Sequence, residues 1–413
     1  MLHTQRKPAG RRSKWSAPAR PWKPELIVRM KTTVILVTTY LGYAHDHLQH
    51  GGRPRIVREL AYLLREQGFD VTIAQKGSRD AVIELEPGIR VRKFRVPIRA
   101  WTDILFALRT RHLVEGADLC IYASCEDGYP FFSTRSIGFQ HGIWWDKPDG
   151  SPVRRSLINH IHFARMSALC RRTRRVICVD TNVINWLRLY GRHGHAAAAK
   201  CVYLPNYFAD KFAAPTPDLI ERRFRKLCLA FPRRFEEPRG ALLFVEMCAE
   251  LRVRGLEFEA LMIGWGGQES DVRELAAKRG LLGECIRMGE SCFGGVPELL
   301  RSATLTVIPS IYSEGTSLSA IESIAMGIPV IGTDVGGLGN LVIPGFNGYL
   351  TKAHPRALAE AVMTALFNRE NYTELVANCL HMRSAFSVRR WRAQVLQILQ
   401  EAQLVGPVSA TGL

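Results

Sequence analysis

The sequence predicts an α/β protein with two domains. Three observations carry this. The chain has 413 residues, enough for roughly two domains. Short apolar strands alternate with amphipathic helices from Thr32 to Ala402, the pattern of parallel sheets covered by helices. Midway, Ala213-Ala214-Pro215-Thr216-Pro217 reads as a linker, which places the domain boundary within 208–225. An apolar fraction of 47% supplies ample core. The sequence has no run of about 18 apolar residues, so no spanning helix is expected.

Residues 1–29 are rich in Arg, Lys and Pro and hold no apolar signal core. They are expected to be disordered. Either they form a flexible basic tail or translation starts at Met30, with an organellar targeting tail as a weaker third reading. Thr32 to Thr38 (TTVILVT) then reads as a buried strand, and Gly51-Gly52 precedes an amphipathic helix from Pro54 to Gln67. Gly68 stops that helix and Val71 to Ile73 is the next strand. Val82 to Val96 is strand material and Trp101 to His112 a helix. Ala117 to Ala123 and Ile137 to Gln140 are strands, the latter ending in His141-Gly142.

Residues 151–175 interleave Leu157, Ile158 and Ile161 with Arg154, Arg155, Arg165, Arg171 and Arg172. Such a helix either lies on an anionic membrane or packs its apolar face into an ordinary domain. Val176 to Val179 is a strand, Asn182 to Tyr190 a helix, and Val202 to Asn206 closes the first half.

The second half opens with the strand Lys226 to Ala230 and the basic loop FPRRFEEPRG, then a helix from Ala241 to Arg252. Phe258 to Ile263 and Cys285 to Met288 are strands, with Asp271 to Arg279 helical between them. Val296 to Arg301 is helical. Leu305 to Pro309 is a strand, followed by Glu314-Gly315 and a helix over Leu318 to Ala325 with Thr316 or Ser317 as its cap. Gly327 and Pro329 end it, and Val330-Ile331 begins a strand running towards Gly336-Gly337. Helices over Pro355 to Phe367, Glu370 to Phe386 and Ser387 to Ala402 finish the chain.

Charge divides the chain. Residues 1–200 hold 34 of the 56 Lys and Arg and 16 of the 38 Asp and Glu, a balance of 34 − 16 = +18; the remainder is 22 − 22 = 0. A field confined to one half points to an anionic partner there. Sparse interleaving of aromatics with the basic residues disfavours nucleic acid. The ten cysteines show neither a CxxC pair nor Cys/His metal spacing. Free thiols in a reducing cytosol are expected, without disulfides.

The chemistry gathers at 307–350. Unpaired N–H groups at the start of a helix attract anions, so the backbone of Gly315, Thr316, Ser317 and Leu318 suits a phosphate. Glu314 and Glu322 flank it. A ligand with phosphates in its middle and hydroxyls at both ends, such as a nucleotide sugar, matches that order.

Glu314-x7-Glu322, followed by Ala325-Met326-Gly327-x-Pro329-Val330, Val335-Gly336-Gly337 and Gly345-x-Asn347-Gly348, resembles the retaining glycosyltransferases of family 4 with the GT-B fold. The resemblance covers about residues 31–400 and implies two doubly wound, Rossmann-like domains facing a cleft. Residues 30–212 would bind the acceptor and 213–386 the nucleotide sugar. Residues 387–413 would supply a helix crossing back to the first domain, and a tail. The implied activity is transfer of a hexosyl group to a hydroxyl of a glycan or lipid-linked acceptor, in surface polysaccharide or glycolipid synthesis, with anomeric retention.

The resemblance also implies roles. Glu314 would contact sugar hydroxyls and Glu322 the ribose. Arg234 and Arg239 would hold the diphosphate, with Arg233 in place of Arg234 under a one-residue slip. The family has lysine where Arg239 stands. Gly51 and Gly52 would approach the diphosphate, Gly289 would lie at the nucleobase, and His141 would orient the donor. Asp146 is a weaker candidate for acceptor contact. No Asp-x-Asp triplet occurs, so no metal or other cofactor is expected. The protein is expected in the cytoplasm, with the inner membrane face as its anionic partner. Three other readings stay open: a nucleotide-sugar epimerase, a non-catalytic GT-B-like binding protein, and a nucleic-acid-binding protein.

Overall fold

A computed structural model describes residues 32–38, 52–96, 102–145, 147, 151–289 and 296–406. The expectations for the 1–29 tail, for Gly51 and for Asp146 lie outside them.

The first sheet is built from β1 (Thr33–Thr38), α1 (Gly52–Glu66), β2 (Asp70–Gly77), β3 (Ala81–Glu86), β4 (Ile89–Arg95), α2 (Thr102–Gly116), β5 (Leu119–Tyr122), β6 (Ser136–Gln140), α3 (Pro152–Arg172), β7 (Arg175–Cys178), α4 (Asn182–Arg188), α5 (Gly191–Ala198) and β8 (Cys201–Tyr203). Its order is β3-β4-β2-β1-β5-β6-β7-β8. All pairs are parallel except the β3–β4 hairpin. Helices on both faces bury the strands, whose sequences are therefore apolar rather than alternating. Val34, Leu36, Val71, Ile73, Leu119 and Ile121 are buried together.

The second half contains α6 (Pro217–Arg225), β9 (Cys228–Phe231), α7 (Ala241–Val253), β10 (Glu259–Ile263), α8 (Glu269–Lys278), β11 (Ile286–Gly289), α9 (Val296–Leu300), β12 (Leu305–Ile308), α10 (Leu318–Ala325), β13 (Val330–Thr333), β14 (Gly348–Thr351), α11 (Pro355–Ala365), α12 (Arg369–Met382) and α13 (Val388–Glu401). Its sheet runs β11-β10-β9-β12-β13-β14 and is wholly parallel. The 217–225 end of the linker-like stretch is helical. Thr216 caps α6 by accepting from Leu219 N, Pro217 stands in the first turn, and Ile220 and Phe224 pack on the second core.

Two differences from the sequence reading have local causes. α2 runs four residues beyond His112, because Leu113 and Val114 pack into the first domain's core. The strand after Pro329 ends at Thr333, and Gly336 to Asn340 form a 3-10 turn instead. Gly336 has φ +57°, and a Cβ there would lie 2.1 Å from the Glu314 carbonyl. The following amide, Gly337 N, donates to that same carbonyl at 2.9 Å. The Val-Gly-Gly stretch thus acts as a backbone clamp on the Glu314 loop.

α13 leaves the second half and packs on the first. Trp391, Val395, Leu396 and Leu399 join the core of Val34, Leu60 and Leu64, and Arg392 pairs with Glu59 at 2.5 Å. In both sheets the strand order reverses beside a central strand, β1 in one and β9 in the other. Crevices at such switch points, beyond the strands' carboxyl ends, are where α/β sheets bind ligands.

Candidate functional site

A cleft of about 710 Å³ opens there, lined by residues of both halves. Among the described residues, seven Lys and Arg side chains line it against two carboxylates, Glu314 and Glu322. That imbalance suits an anionic ligand.

Glu314 follows β12 and is buried. Its Oε2 accepts from Arg233 Nη2 at 2.5 Å, Ser310 Oγ at 2.7 Å and Arg239 Nη1 at 2.8 Å. Burial by itself would raise its pKa; the Arg233 and Arg239 guanidiniums outweigh this and hold the carboxyl below its usual range. The loop after β9 presents three arginines differently. Arg233 is buried and also donates to Ser310 at 2.8 Å. Arg234 turns outward to Glu236 at 2.8 Å, with 45% of its side chain exposed. Arg239 stands in a short 3-10 turn, with a quarter of its side chain exposed towards the cleft. Arg233, rather than Arg234, is therefore the partner of Arg239 at Glu314.

Ser317 caps α10 by accepting from Ala320 N. Gly315, Thr316, Ser317 and Leu318 all line the cleft. Ser319 Oγ ties α10 to the arginine loop by donating to Pro232 O at 2.7 Å. Glu322, a turn further on, receives Arg55 Nη1 from α1 at 2.6 Å. Burial pushes the Glu322 carboxyl up and Arg55 opposes the shift.

The first half closes on this loop through its strand ends. Thr316 Oγ1 donates to Val179 O, Asn206 Nδ2 to Thr316 O at 2.8 Å, and Ser313 Oγ to Ile143 O at 3.1 Å. His141 directly follows β6 and faces the cleft. Its ring bonds the Ala123 backbone, and burial, with Arg53 nearby, pushes its pKa down to about 3. The imidazole is neutral at physiological pH, and its Nε2 is buried without a hydrogen-bond partner among the described residues. Gly142, at φ +90°, comes so close that a Cβ there would meet Asp180 Oδ2 at 2.9 Å and Gly315 Cα at 3.0 Å.

Of the residues singled out from sequence, Gly52, His141, Arg234, Arg239, Glu314 to Leu318 and Glu322 line one cleft. Gly289 ends β11 beside Ile263 and is not among the lining residues. The sequence reading missed Arg53, Arg55 and Arg58, which sit on α1 just after the Gly-Gly pair; that adjacency was the available signal. It also missed Asp180. Its Oδ1 holds the start of α4 through Asn182 N and Val183 N, while burial raises its pKa to about 6.

Residues 222–380 match the sequence model of the glycosyl transferases group 1 family. An uncharacterised glycosyltransferase of Methanocaldococcus jannaschii is 31% identical over 150 residues, 36% of this chain and 42% of that protein. A D-inositol 3-phosphate glycosyltransferase of an Arthrobacter species is 31% identical over 150 residues, 35% of each chain. The matches thus span less than half the length of these relatives. Over the fold, sucrose-phosphate synthase from Thermosynechococcus elongatus superposes with a TM-score of 0.73 at 20% identity, across 90% of this chain and 99% of that one. HepE from Anabaena, solved with UDP, superposes with a TM-score of 0.66 at 15% identity, across 90% of this chain and 100% of that one. The chain therefore has the two-domain GT-B glycosyltransferase fold, and its residues 222–380 carry the group 1 glycosyl transferase pattern.

Proposed function

We propose that this protein is a retaining glycosyltransferase that moves a hexosyl group from a nucleoside-diphosphate sugar to a hydroxyl of a glycan or lipid-linked acceptor. One observation carries the reading. Glu314 and Glu322 flank the N-terminus of α10 in the same cleft, with Arg239 beside Glu314. Donor phosphates bind at the amides of Gly315 to Leu318, neutralised by Arg239 as charge develops on the leaving group. Arg233 acts beneath, fixing Glu314 so that its free oxygen meets the sugar hydroxyls. Glu322 takes the ribose hydroxyls. The neutral His141 accepts from the donor sugar through Nε2, which supplies that buried nitrogen with its missing partner.

Two guanidiniums at Glu314 keep it an anion, so it orients the sugar rather than carrying a proton. The acceptor proton passes to the departing phosphate oxygen as the new glycosidic bond forms on the same face. Positive charge at the diphosphate comes from arginines and amides, and donor binding needs no metal.

The acceptor is proposed to sit at an anionic membrane surface. Val153, Leu157 and Ile161 recur every fourth residue along α3 and are exposed, beside Arg154 and Arg155. Apolar contacts ringed by cations suit an acidic bilayer.

A donor screen tests the reading: UDP-, GDP- and ADP-sugars, each with and without EDTA, read by nucleoside-diphosphate release. HepE was solved with UDP-glucose, so UDP-sugars come first. Release from one donor, unchanged by EDTA and lost in Glu322→Ala and Arg239→Ala, is expected. Absence of release and of thermal stabilisation with every donor would overturn it. A free epimerised sugar as product would move the chemistry to an epimerase.

A further inference from the structure

The first domain holds a second cluster of reactive side chains, none of which lines the cleft. Cys125 and Glu126 lie in the turn after β5, and His162 reaches them from α3. One ligand atom from each, all three residues buried, lies within 4.8 Å of the others. His162 Nδ1 and Glu126 Oε1 face one another at 3.8 Å, too far for a hydrogen bond. Both are buried with no hydrogen-bond partner among the described residues. Orphaned polar atoms so deep in a protein are costly, and two aimed at the same point call for something between them.

We propose that Cys125, Glu126 and His162 form a zinc site that ties α3 to the turn after β5. The donor set is a thiolate, an imidazole and a carboxylate, each a common zinc ligand; a bound water completes a tetrahedron. In such a site the nitrogen and oxygen stand about 3.4 Å apart, from metal–ligand distances of about 2.0–2.1 Å. The observed separation needs only a few tenths of an ångström of contraction. Charge also balances, since one thiolate and one carboxylate neutralise a divalent cation. Calcium and magnesium are disfavoured, because both want oxygen ligands throughout.

The surroundings are those of a supported site. Glu126 Oε2 accepts from Ser124 Oγ, which leaves Oε1 for the metal, and such outer bonds orient ligands. Trp145 stacks on the His162 ring at 4.0 Å and 3°, fixing its plane, and Trp145 Nε1 is held by Asn159 Oδ1 at 3.1 Å. The site departs from the metal-free expectation. Linear spacing could not reveal it, because its ligands come from a turn and from a helix 36 positions on from Glu126. A metal here would brace Ala123, two residues before Cys125, whose backbone holds the His141 ring.

The inference does not rest on the glycosyltransferase reading, and its test does not read activity. The full chain is stripped with a chelator, refilled with zinc or cobalt, passed through a desalting column and assayed by elemental analysis. One zinc per chain is expected, and the cobalt form should show a thiolate charge-transfer band. X-ray absorption should find one sulfur at about 2.3 Å and the remaining ligands nitrogen or oxygen at about 2.0 Å. Cys125→Ala and His162→Ala should lose the metal while Cys248→Ala, buried in the other domain, keeps it. Should the two ligand variants fail to fold, the wild-type absorption spectrum decides alone. Sub-stoichiometric retention, a shell of two or more sulfurs, or full binding in both ligand variants would each overturn the proposal.

Discussion

Arg55 of α1 and Glu322 of α10 form an ion pair at 2.6 Å that joins the two domains across the cleft. Both side chains are largely buried, at 20% and 13% exposed, so each would be an uncompensated charge without the other. One oxygen of the Glu322 carboxylate is thereby already engaged.

Arg55→Met should therefore destabilise the protein, by about 1–3 kcal/mol given the partial exposure. Paired with Glu322→Gln, it forms a double-mutant cycle. A coupling of about 1 kcal/mol or more is expected in urea unfolding. Additive effects would show that the pair contributes nothing.

Arg233 and Arg234 are neighbours in sequence with opposite environments. Arg233→Ala leaves Glu314 with Arg239 as its one cation beside the Ser310 hydroxyl and should cost about 3 kcal/mol or more of stability, as loss of one partner of a buried pair does. Arg234→Ala removes only an exposed pair with Glu236 and should change stability by about 0.5 kcal/mol or less. Equal losses in thermal unfolding would contradict the assignment.

His141 gives a pH dependence of definite sign. Its folded pKa of about 3 lies below the unfolded value of about 6.5. Between those values the unfolded chain binds a proton that the folded chain does not, so stability falls as pH falls through that window. From pH 7 to pH 5 the loss from this residue is about 2 kcal/mol. His141→Gln should flatten the profile by that amount. An unchanged slope in denaturant unfolding would mean the imidazole is protonated in the fold.

The α3 surface is tested by sedimentation with vesicles. Pelleting with anionic vesicles at low salt, weakened by added salt and by Leu157→Asp, is expected. Equal pelleting with neutral vesicles would point to apolar contact alone, and none at all would remove the membrane from the proposal.

Much of the fold was legible because its strands are apolar on both faces and its helices carry regular stripes. α10 was read at its bounds, since Ser317 marks one end and Gly327 with Pro329 the other. α5 was missed: Gly191-Arg192-His193-Gly194 has weak helical preference, and the segment forms by packing Ala197 and Ala198 into the core. At the site, local motifs were legible and register was not. A single-residue offset decides whether Arg233 or Arg234 turns inward, and the partners that hold Arg233, Ser310 and Glu314, lie far off in sequence. Arg55 pairs across the domain boundary with Glu322, where no linear pattern brings partners together.

The placement of α13 has a consequence for the order of folding. The first domain emerges first from the ribosome, yet its core lacks Trp391, Val395, Leu396 and Leu399 until almost the whole chain has been made. A nascent chain arrested before residue 388 would hold out an unfinished apolar surface on α1.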